Sequence, residues 1–190
     1  MFPDLPLPSL LDELAAPREV PGSGSALAIA LAIAAATVQM AARMSVVSWP
    51  ESPGVAAQAG SLRERALKLA EDDAEAYRRA LDVRAAPTGD QQDKRDWALG
   101  QAVAAAAEPP LALVRLATDL VDLCGDAAGR VEPRVQADVV AAAALAAGVA
   151  NGARELVTGN LTALPDDPRV AEATALAAAA AATAEKMIRR

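Results

Sequence analysis

The 190-residue sequence contains no histidine and a single cysteine, Cys124. The missing histidine removes the most common general base and metal ligand, so a zinc-type site is not expected and proton transfer falls to Asp, Glu, Lys, Tyr or water. One cysteine cannot form an internal disulfide. Cys124 lies in an apolar, acidic stretch where nothing stabilises a thiolate, so we expect it to be a small buried core residue.

Aromatic side chains make up only 2% of the chain, and alternating runs of strand-forming residues are missing throughout. The apolar 53% consists largely of alanine, the strongest helix former, so we predict an all-α protein. Basic residues are also in deficit, because 18 Lys and Arg stand against 25 Asp and Glu and leave a net charge of −7. That charge repels a phosphate backbone, so we expect no nucleic-acid partner.

The N-terminal residues lack a basic region followed by a long apolar run, so no signal peptide is predicted. The stretch best suited to cross a membrane, residues 26–42, is mostly alanine, carries Thr37 and Gln39, and ends at Arg43. It is shorter than the ~20 strongly apolar residues that a membrane span needs. We therefore expect a buried helix in a soluble, cytoplasmic protein without a membrane partner.

We expect one domain over residues 1–190, built as a bundle of about six helices. Caps, prolines and glycines predict helices at about residues 9–15, 25–47, 52–85, 90–128, 132–158 and 169–188. The third helix is expected to stop at Pro87-Thr88-Gly89, and the fourth to kink or break at Pro109-Pro110. Since long alanine-rich helices bury little apolar area within one chain, we also expect a homodimer.

A glycine-rich segment, Pro21-Gly22-Ser23-Gly24-Ser25, leads directly into the alanine-rich second helix. No side chain shields the backbone N–H groups at its glycines, and the start of a helix favours an anion. The segment is therefore a candidate cradle for an anionic or polar ligand. Simple turn and capping chemistry is the alternative interpretation of the same residues.

Asp73 interrupts an apolar stripe on the third predicted helix. The stripe recurs at steps of three and four, with one gap of seven that Asp73 fills, and consists of Val55, Ala59, Leu62, Ala66, Leu69, Ala76, Ala80 and Val83. A buried carboxylate is costly unless it is paired or hydrogen-bonded. Asp73 is therefore either a structural partner of another helix or a functional carboxylate, and Tyr77, one turn on, is placed to donate to it or to a ligand.

Three further polar residues stand in apolar surroundings. Arg43 ends a stretch without charge, and Asp138 is the only charge between Gln136 and Gly152. Each either complements a helix end or serves a ligand, and Asn160 is interpreted as a helix C-cap. One acidic helix face suggests either a divalent cation or, more simply, a solvated surface, and it is formed by Asp119, Asp122 and Asp126.

Five segments of the chain resemble motifs of one family. They are Pro21-Gly22-Ser23-Gly24-Ser25, Ala42-Arg43-Met44-Ser45, Asp73-Ala74-Glu75-Ala76-Tyr77, Pro110-Leu111, and the helix from Ala137-Asp138 to Asn160-Leu161. The corresponding motifs are Pro-Gly-Gly-Gly-Ser, Ala-Arg-hydrophobic-Ser/Thr, Asp-x-x-Ala-Phe/Tyr, Pro-Leu, and Ser-Asp through Asn-Leu. They belong to the cyclodeaminase domain of formiminotransferase-cyclodeaminase and to bacterial methenyltetrahydrofolate cyclohydrolases, and the resemblance covers nearly the whole chain.

The resemblance implies an all-α homodimer that binds a reduced folate in a cleft. It implies either ring closure of 5-formimino-tetrahydrofolate to the methenyl form with loss of ammonia, or hydrolysis of 5,10-methenyl-tetrahydrofolate to the 10-formyl form. Neither step needs a metal or redox cofactor, and a carboxylate moves the protons. The implied catalytic residues are Asp73 and Asp138. The implied substrate-binding residues are Gly22, Ser23, Gly24, Ser25, Arg43, Tyr77 and Asn160.

The chain also departs from the family motifs. Ser23 replaces the middle glycine, Glu132 stands at the position of an asparagine, Ala137 replaces a serine, and Leu156 replaces an asparagine. A lysine often found after the Asp73 helix has no counterpart at residues 85–87. These changes favour an alternative function, in which the chain has lost turnover and acts as a folate-binding or partner subunit.

Overall fold

The structure is a computed structural model that describes residues 2–86, 92–164 and 166–189. Helices make up almost all of these residues. Within these ranges there are seven α-helices: α1 (Leu7–Ala15), α2 (Ser23–Met44), α3 (Ser52–Ala85), α4 (Gln92–Ala105), α5 (Glu108–Ala127), α6 (Gln136–Asn160) and α7 (Pro168–Ile188). Short 3-10 turns lie at Phe2–Asp4 and Pro133–Val135. The prediction of an all-α bundle is confirmed.

The predicted fourth helix is two helices, which raises the count from about six to seven. The chain breaks at residues 106–107, and α5 restarts with its prolines in the first turn, where a missing N–H is tolerated. The predicted bounds of α3 are confirmed at Ser52 and Ala85. Its expected stop at Pro87-Thr88-Gly89, and the expected start of the next helix near Asp90, lie outside the described residues.

The start of α6 moves by four residues from the predicted 132 to Gln136. The start of α2 moves by two, because the helix begins at Ser23 rather than at residue 25. Gly22 has extended backbone angles and serves as the N-cap. Ser23, Gly24 and Ser25 consequently form the first helical turn rather than a loop. Their N–H groups point out of the helix end instead of being scattered around a turn.

Two contacts fix α2 and α6 as antiparallel neighbours. At one end, Gly152 of α6 lies so close to α2 that a Cβ there would come within 3.0 Å of the Leu27 side chain. At the other end, the Glu132 N–H, just before α6, donates to the Ser45 hydroxyl, just after α2, at 2.9 Å. The start of α2 therefore lies beside the end of α6.

The hydrophobic core lies where α5 packs against α6 and α7 and where α2 packs against α3 and α6. Large side chains come mainly from α5, including the fully buried Leu111, Leu116 and Leu120. Cys124 is also fully buried, which confirms it as a core residue, and burial raises the pKa of its thiol to about 12. By contrast, α2 and α6 contribute mostly alanines, which let the helices approach closely.

The apolar stripe on α3 is displaced from the predicted one along its second half. Ala66, Ala70 and Ala74 are buried at steps of four, whereas Leu69 and Ala76 are only partly buried. Small alanines face α3's alanine-rich neighbour α2, and the bulkier Leu69 is left at the edge. Asp73 therefore lies at the margin of the buried stripe, next to the start of α2, rather than at its centre.

By length and composition alone, two helical segments are apolar enough to cross a membrane: Ser23–Met44 and Pro133–Asn160. In their most apolar windows, 56% and 44% of the residues, respectively, are buried inside the bundle. These segments contain the neighbouring helices α2 and α6, so the two most apolar helices together leave an uncovered surface.

Candidate active-site cleft

A cleft of about 310 Å³ opens between the α1–α2 connection, the first turn of α2, the middle of α3 and the end of α6. Six of the nine site residues predicted from the sequence line it: Gly22, Ser23, Gly24, Asp73, Tyr77 and Asn160. They come from three separate helices, and the antiparallel packing of α2 and α6 brings them together. The fold therefore brings these six residues to the wall of one cleft.

Asp73 is the partly buried carboxylate of the cleft. Its Oδ2 lies 3.2 Å from the Ser25 hydroxyl, and the Ser25 backbone N–H also donates to the carboxylate. Partial burial raises the pKa of Asp73, while the two hydrogen bonds from Ser25 act in the opposite direction. Because desolvation is the larger effect, Asp73 holds a proton to higher pH than an ordinary aspartate.

Gly24 leaves the space in which the Asp73 carboxylate lies. A Cβ at Gly24 would come within 2.6 Å of Oδ2 and closer still to Oδ1, so a larger residue would displace the carboxylate. The glycine was predicted as a ligand contact through its backbone. In the structure, the missing side chain at Gly24 allows the Asp73 carboxylate of α3 to lie against the N-terminus of α2.

The anion at the start of α2 is accordingly supplied by the protein itself. The helix end favours negative charge, and the Ser25 N–H is committed to Asp73. Ser23 is exposed and Gly24 lines the cleft, so their N–H groups remain at the helix end nearest the open space. The predicted anion cradle is thus partly filled by Asp73.

Ser25 lies beneath the cleft rather than on its wall. The residue is fully buried, and its hydroxyl lies 2.9 Å from the Ala70 carbonyl oxygen as well as near Asp73. In this structure the Ser25 hydroxyl contacts protein groups, and its predicted contact with a substrate stays a prediction.

The mouth of the cleft is tied together by Glu19, a residue that the sequence did not single out. Tyr77 donates its hydroxyl to Glu19 Oε2 at 3.3 Å, and Arg84 Nη2 donates to Glu19 Oε1 at 2.6 Å. Glu19 lies in the α1–α2 connection, so these bonds fasten that segment to α3. Its only sequence signal was an acid two residues before the glycine-rich segment, which does not reveal a partner 58 or 65 residues away.

Asn160 was predicted as a C-cap, and the structure corrects this. It is the last residue of α6, and Leu161 occupies the cap position. The Asn160 Nδ2 donates to the Ala106 carbonyl oxygen, 2.9 Å away, in the break between α4 and α5. The amide therefore bridges two chain segments at the cleft wall, and its Oδ1 is the atom left for a ligand.

Arg43 and Asp138 lie outside this cleft. Arg43 is in the last turn of α2, about 27 Å from Ser25 at 1.5 Å per residue, and is exposed without an ion pair to any described residue. Asp138 is in the first turn of α6, beside that same end of α2. Within one chain, neither side chain reaches the groups around Asp73.

The departures from the family motifs divide between the two ends of the α2–α6 pair. Leu156 lines the cleft, where it presents an apolar side chain in place of an amide. Glu132 and Ala137 lie near Ser45, at the Arg43 end. Ser23, which replaces a glycine of the family motif, also lines the cleft, so Ser23 and Leu156 are the substitutions that change its wall directly.

The acidic face of α5 forms a separate groove with Arg65. Burial, followed by the charges of Asp119 and Asp126, raises the pKa of Asp122. Among the described residues, no group of three or more His, Cys, Asp or Glu side chains is arranged to hold a metal ion.

The comparisons with known proteins agree with this fold. A sequence model of the formiminotransferase-cyclodeaminase family matches residues 6–187. No curated protein sequence matches the chain significantly. A crystal structure of formiminotetrahydrofolate cyclodeaminase from Thermotoga maritima superimposes with a TM-score of 0.83 at 22% identity, covering 100% of this chain and 98% of that one. The chain therefore belongs to the formiminotransferase-cyclodeaminase family.

Proposed function

We propose that the protein is a folate-dependent one-carbon enzyme that acts on 5-formimino-tetrahydrofolate or 5,10-methenyl-tetrahydrofolate. The observation that carries the proposal is the position of Asp73, a partly buried carboxylate held at a helix N-terminus on the wall of an open cleft. Perturbed carboxylates in clefts are characteristic of sites that move protons. Membership of the formiminotransferase-cyclodeaminase family supports a folate as the substrate class.

The proposed chemistry requires an acid–base group beside a cationic one-carbon unit. Both reactions pass through a tetrahedral carbon that carries amine leaving groups, so protons must be added and removed at nitrogen or oxygen. Asp73 in its ionised form stabilises the positive amidine, and in its protonated form it donates to the leaving nitrogen. Its raised pKa makes both forms accessible nearer to neutral pH than for an ordinary aspartate.

The remaining polar groups of the cleft suit a pterin ring. The Asn160 Oδ1 is available as an acceptor, and the Tyr77 hydroxyl, now on Glu19, is able to turn to a ligand. Apolar wall is supplied by Pro110 and Leu156. We assign these groups to binding and orientation and keep the proton transfer for Asp73.

A folate-binding subunit without turnover is the second candidate, and Leu156 is the observation that favours it. An amide at this position would donate and accept hydrogen bonds inside the cleft, and leucine does neither. The cleft still retains Asp73, Tyr77 and Asn160. We therefore expect the Leu156 substitution to lower the rate of turnover more than it lowers the affinity for folate.

One spectroscopic experiment distinguishes the three outcomes. Cyclodeaminase activity makes 5,10-methenyl-tetrahydrofolate from the 5-formimino substrate, so its absorbance rises and ammonia is released. Cyclohydrolase activity consumes the same chromophore, so the absorbance falls. A raised melting temperature with either folate and no absorbance change identifies a binding subunit. Neither turnover nor a thermal shift would overturn the folate assignment.

We further propose that two copies pair through the uncovered face of α2 and α6. On α2, Ile33 is 55% exposed and Met40 and Met44 are also exposed; on α6, Leu145 is 41% exposed. The face carries no charge from residue 20 to 42 or from 139 to 153. A chain with a net charge of −7 can therefore meet its own copy here without repulsion.

The size of the α2–α6 face fits this partner. At 1.5 Å per residue α2 is about 33 Å long, and two neighbouring helices span ~20 Å, which gives roughly 650 Å². A stable interface buries ~800 Å² per partner, so the face approaches the required area. A two-fold axis across the middle of α2 would pair the α2 helices antiparallel and bring the partner's Arg43 towards the cleft.

Light scattering tests the pairing. A second copy predicts twice the 19.3 kDa chain mass, and Ile33→Glu should reduce the mass to one chain. Leu11→Glu is the matched control, because Leu11 is equally exposed at 55% but lies on α1. A single-chain mass for the unmodified protein, with vesicle binding that Ile33→Glu abolishes, would assign the face to a membrane instead.

A further inference from the structure

The Ser25 hydroxyl has two acceptors and one hydrogen. Its Oγ lies 2.9 Å from the Ala70 carbonyl oxygen and 3.2 Å from Asp73 Oδ2. Both distances are within hydrogen-bonding range, but a hydroxyl donates only one bond at a time. Ser25 is fully buried, so its hydroxyl takes its partners from the protein, whereas Asp73 also faces the open cleft.

We propose that the Ser25 hydroxyl is a two-position donor that holds Asp73 in place in both of its protonation states. When Asp73 is ionised, the hydroxyl donates to its Oδ2. When Asp73 carries a proton, the carboxyl O–H donates to Ser25 Oγ, and the hydroxyl turns to donate to the Ala70 carbonyl. No bond other than hydrogen bonds changes, and the transferred proton remains on Asp73 until the ligand takes it.

This arrangement keeps the carboxyl in position through a catalytic cycle. A partner able only to donate would favour ionised Asp73 alone, and one able only to accept would favour protonated Asp73 alone. The Ser25 hydroxyl stabilises both protonation states of Asp73, because it donates to the Ala70 carbonyl when it accepts from the protonated carboxyl. Neither state then leaves an unpaired polar group in the interior. Ser25 is therefore a positioning residue for Asp73, an inference that rests on the proposed acid–base role of that residue.

The other groups that face Asp73 are few. Glu19 and Tyr77 are the titratable residues that share its cleft, and the neutral amide of Asn160 is contributed by α6. Arg84 holds Glu19 through the 2.6 Å contact, which limits the effect of that charge on Asp73. The N-terminus of α2 contributes the Ser25 backbone N–H, which donates to the carboxylate, and the fixed dipole of its backbone.

The test is a titration of the Asp73 carboxyl by ¹³C NMR in the full-length protein, in the wild type and in Ser25→Ala. Removing the donor takes a hydrogen bond from the ionised form, so the pKa of Asp73 should rise by about one unit, a tenfold change in proton affinity. Ser25→Cys, a weaker donor of similar size, should give a smaller rise. Ser45→Ala is the matched control, because it removes another fully buried hydroxyl at the far end of α2 and should leave the pKa of Asp73 unchanged.

Turnover then separates a positioning role from a substrate contact. Ser25→Ala should lower kcat and move the acid limb of the pH profile upward with the NMR titration, while KM stays near its wild-type value. An unmoved Asp73 titration, or a loss confined to KM, would overturn the inference. Since the titration needs no folate, a shifted titration in a protein without turnover would support Ser25's role and contradict only the proposed function.

Discussion

Asp73→Asn is the substitution whose consequences follow most directly from the structure. It keeps the size of the side chain and one hydrogen-bond acceptor for Ser25, but it removes the charge and the proton. Loss of a positioned acid–base group typically lowers rates by 10²-fold or more, equivalent to ~2.7 kcal/mol in the activation barrier. We expect that loss in kcat for 5,10-methenyl or 5-formimino substrate, measured by the absorbance of the methenyl form.

The same substitution should raise stability at neutral pH. The pKa of Asp73 is higher in the folded chain than in the unfolded chain, so deprotonation favours unfolding as pH rises from the unfolded value through the folded one. Asparagine removes that penalty. The melting temperature of Asp73→Asn should exceed that of the wild type above this window, and the difference should vanish at pH values below both pKa values.

Asp72→Asn provides the control for both measurements. Asp72 is the preceding residue on α3, but it pairs with Lys68 on the surface and does not line the cleft. It should leave turnover unchanged. Undiminished turnover in Asp73→Asn, or a fall in melting temperature that accounts for the lost activity, would refute the acid–base role.

Three further substitutions test the cleft and the pairing. Gly24→Ala should lower turnover by displacing Asp73 without lowering the melting temperature, because alanine favours helix, whereas Gly54→Ala on α3, with nothing within 4 Å of its Cβ, should leave turnover intact. Leu156→Asn should raise kcat several-fold by restoring an amide to the cleft, measured beside Leu156→Ala, and equal rates in all three proteins would make position 156 dispensable. If the partner's Arg43 completes each cleft, the Asp73→Asn and Arg43→Ala proteins are both inactive alone. An equal mixture that is unfolded and refolded together should then regain about a quarter of wild-type activity, because half of the dimers are mixed and each has one intact site. No recovery would confine the site to one chain.

Local sequence signals predicted the helices well where they act within a few residues. Pro at the first turn marked the start of α3, and the Pro109-Pro110 pair marked a real break. The start of α2 was placed two residues late because Ser23 and Ser25 look alike as caps in the sequence. Gly22 takes the cap position instead, since the chain approaches α2 in an extended conformation.

The candidate site was predictable as a set of motifs but not as a geometry. Asp73 stood out by its place in an apolar stripe, and the resemblance to the family grouped it with the glycine-rich segment. Helical periodicity does not show which neighbouring helix a carboxylate contacts. It therefore predicted neither the burial of Ser25 nor the close approach of Asp73 to Gly24, where a Cβ would not fit. Likewise, only the antiparallel packing of α2 and α6 puts Arg43 at the end remote from Asp73.

The location of a bound folate tests the central claim most directly. A crystal structure of the protein with 5-formyl-tetrahydrofolate, whose N5 substituent resembles the reacting one-carbon unit, would show where the ligand lies. We expect the formyl group to lie within hydrogen-bonding distance of Asp73, with the pterin between Asn160 and Tyr77. A folate bound in the groove beside Arg43, with the Asp73 cleft empty, would contradict that expectation.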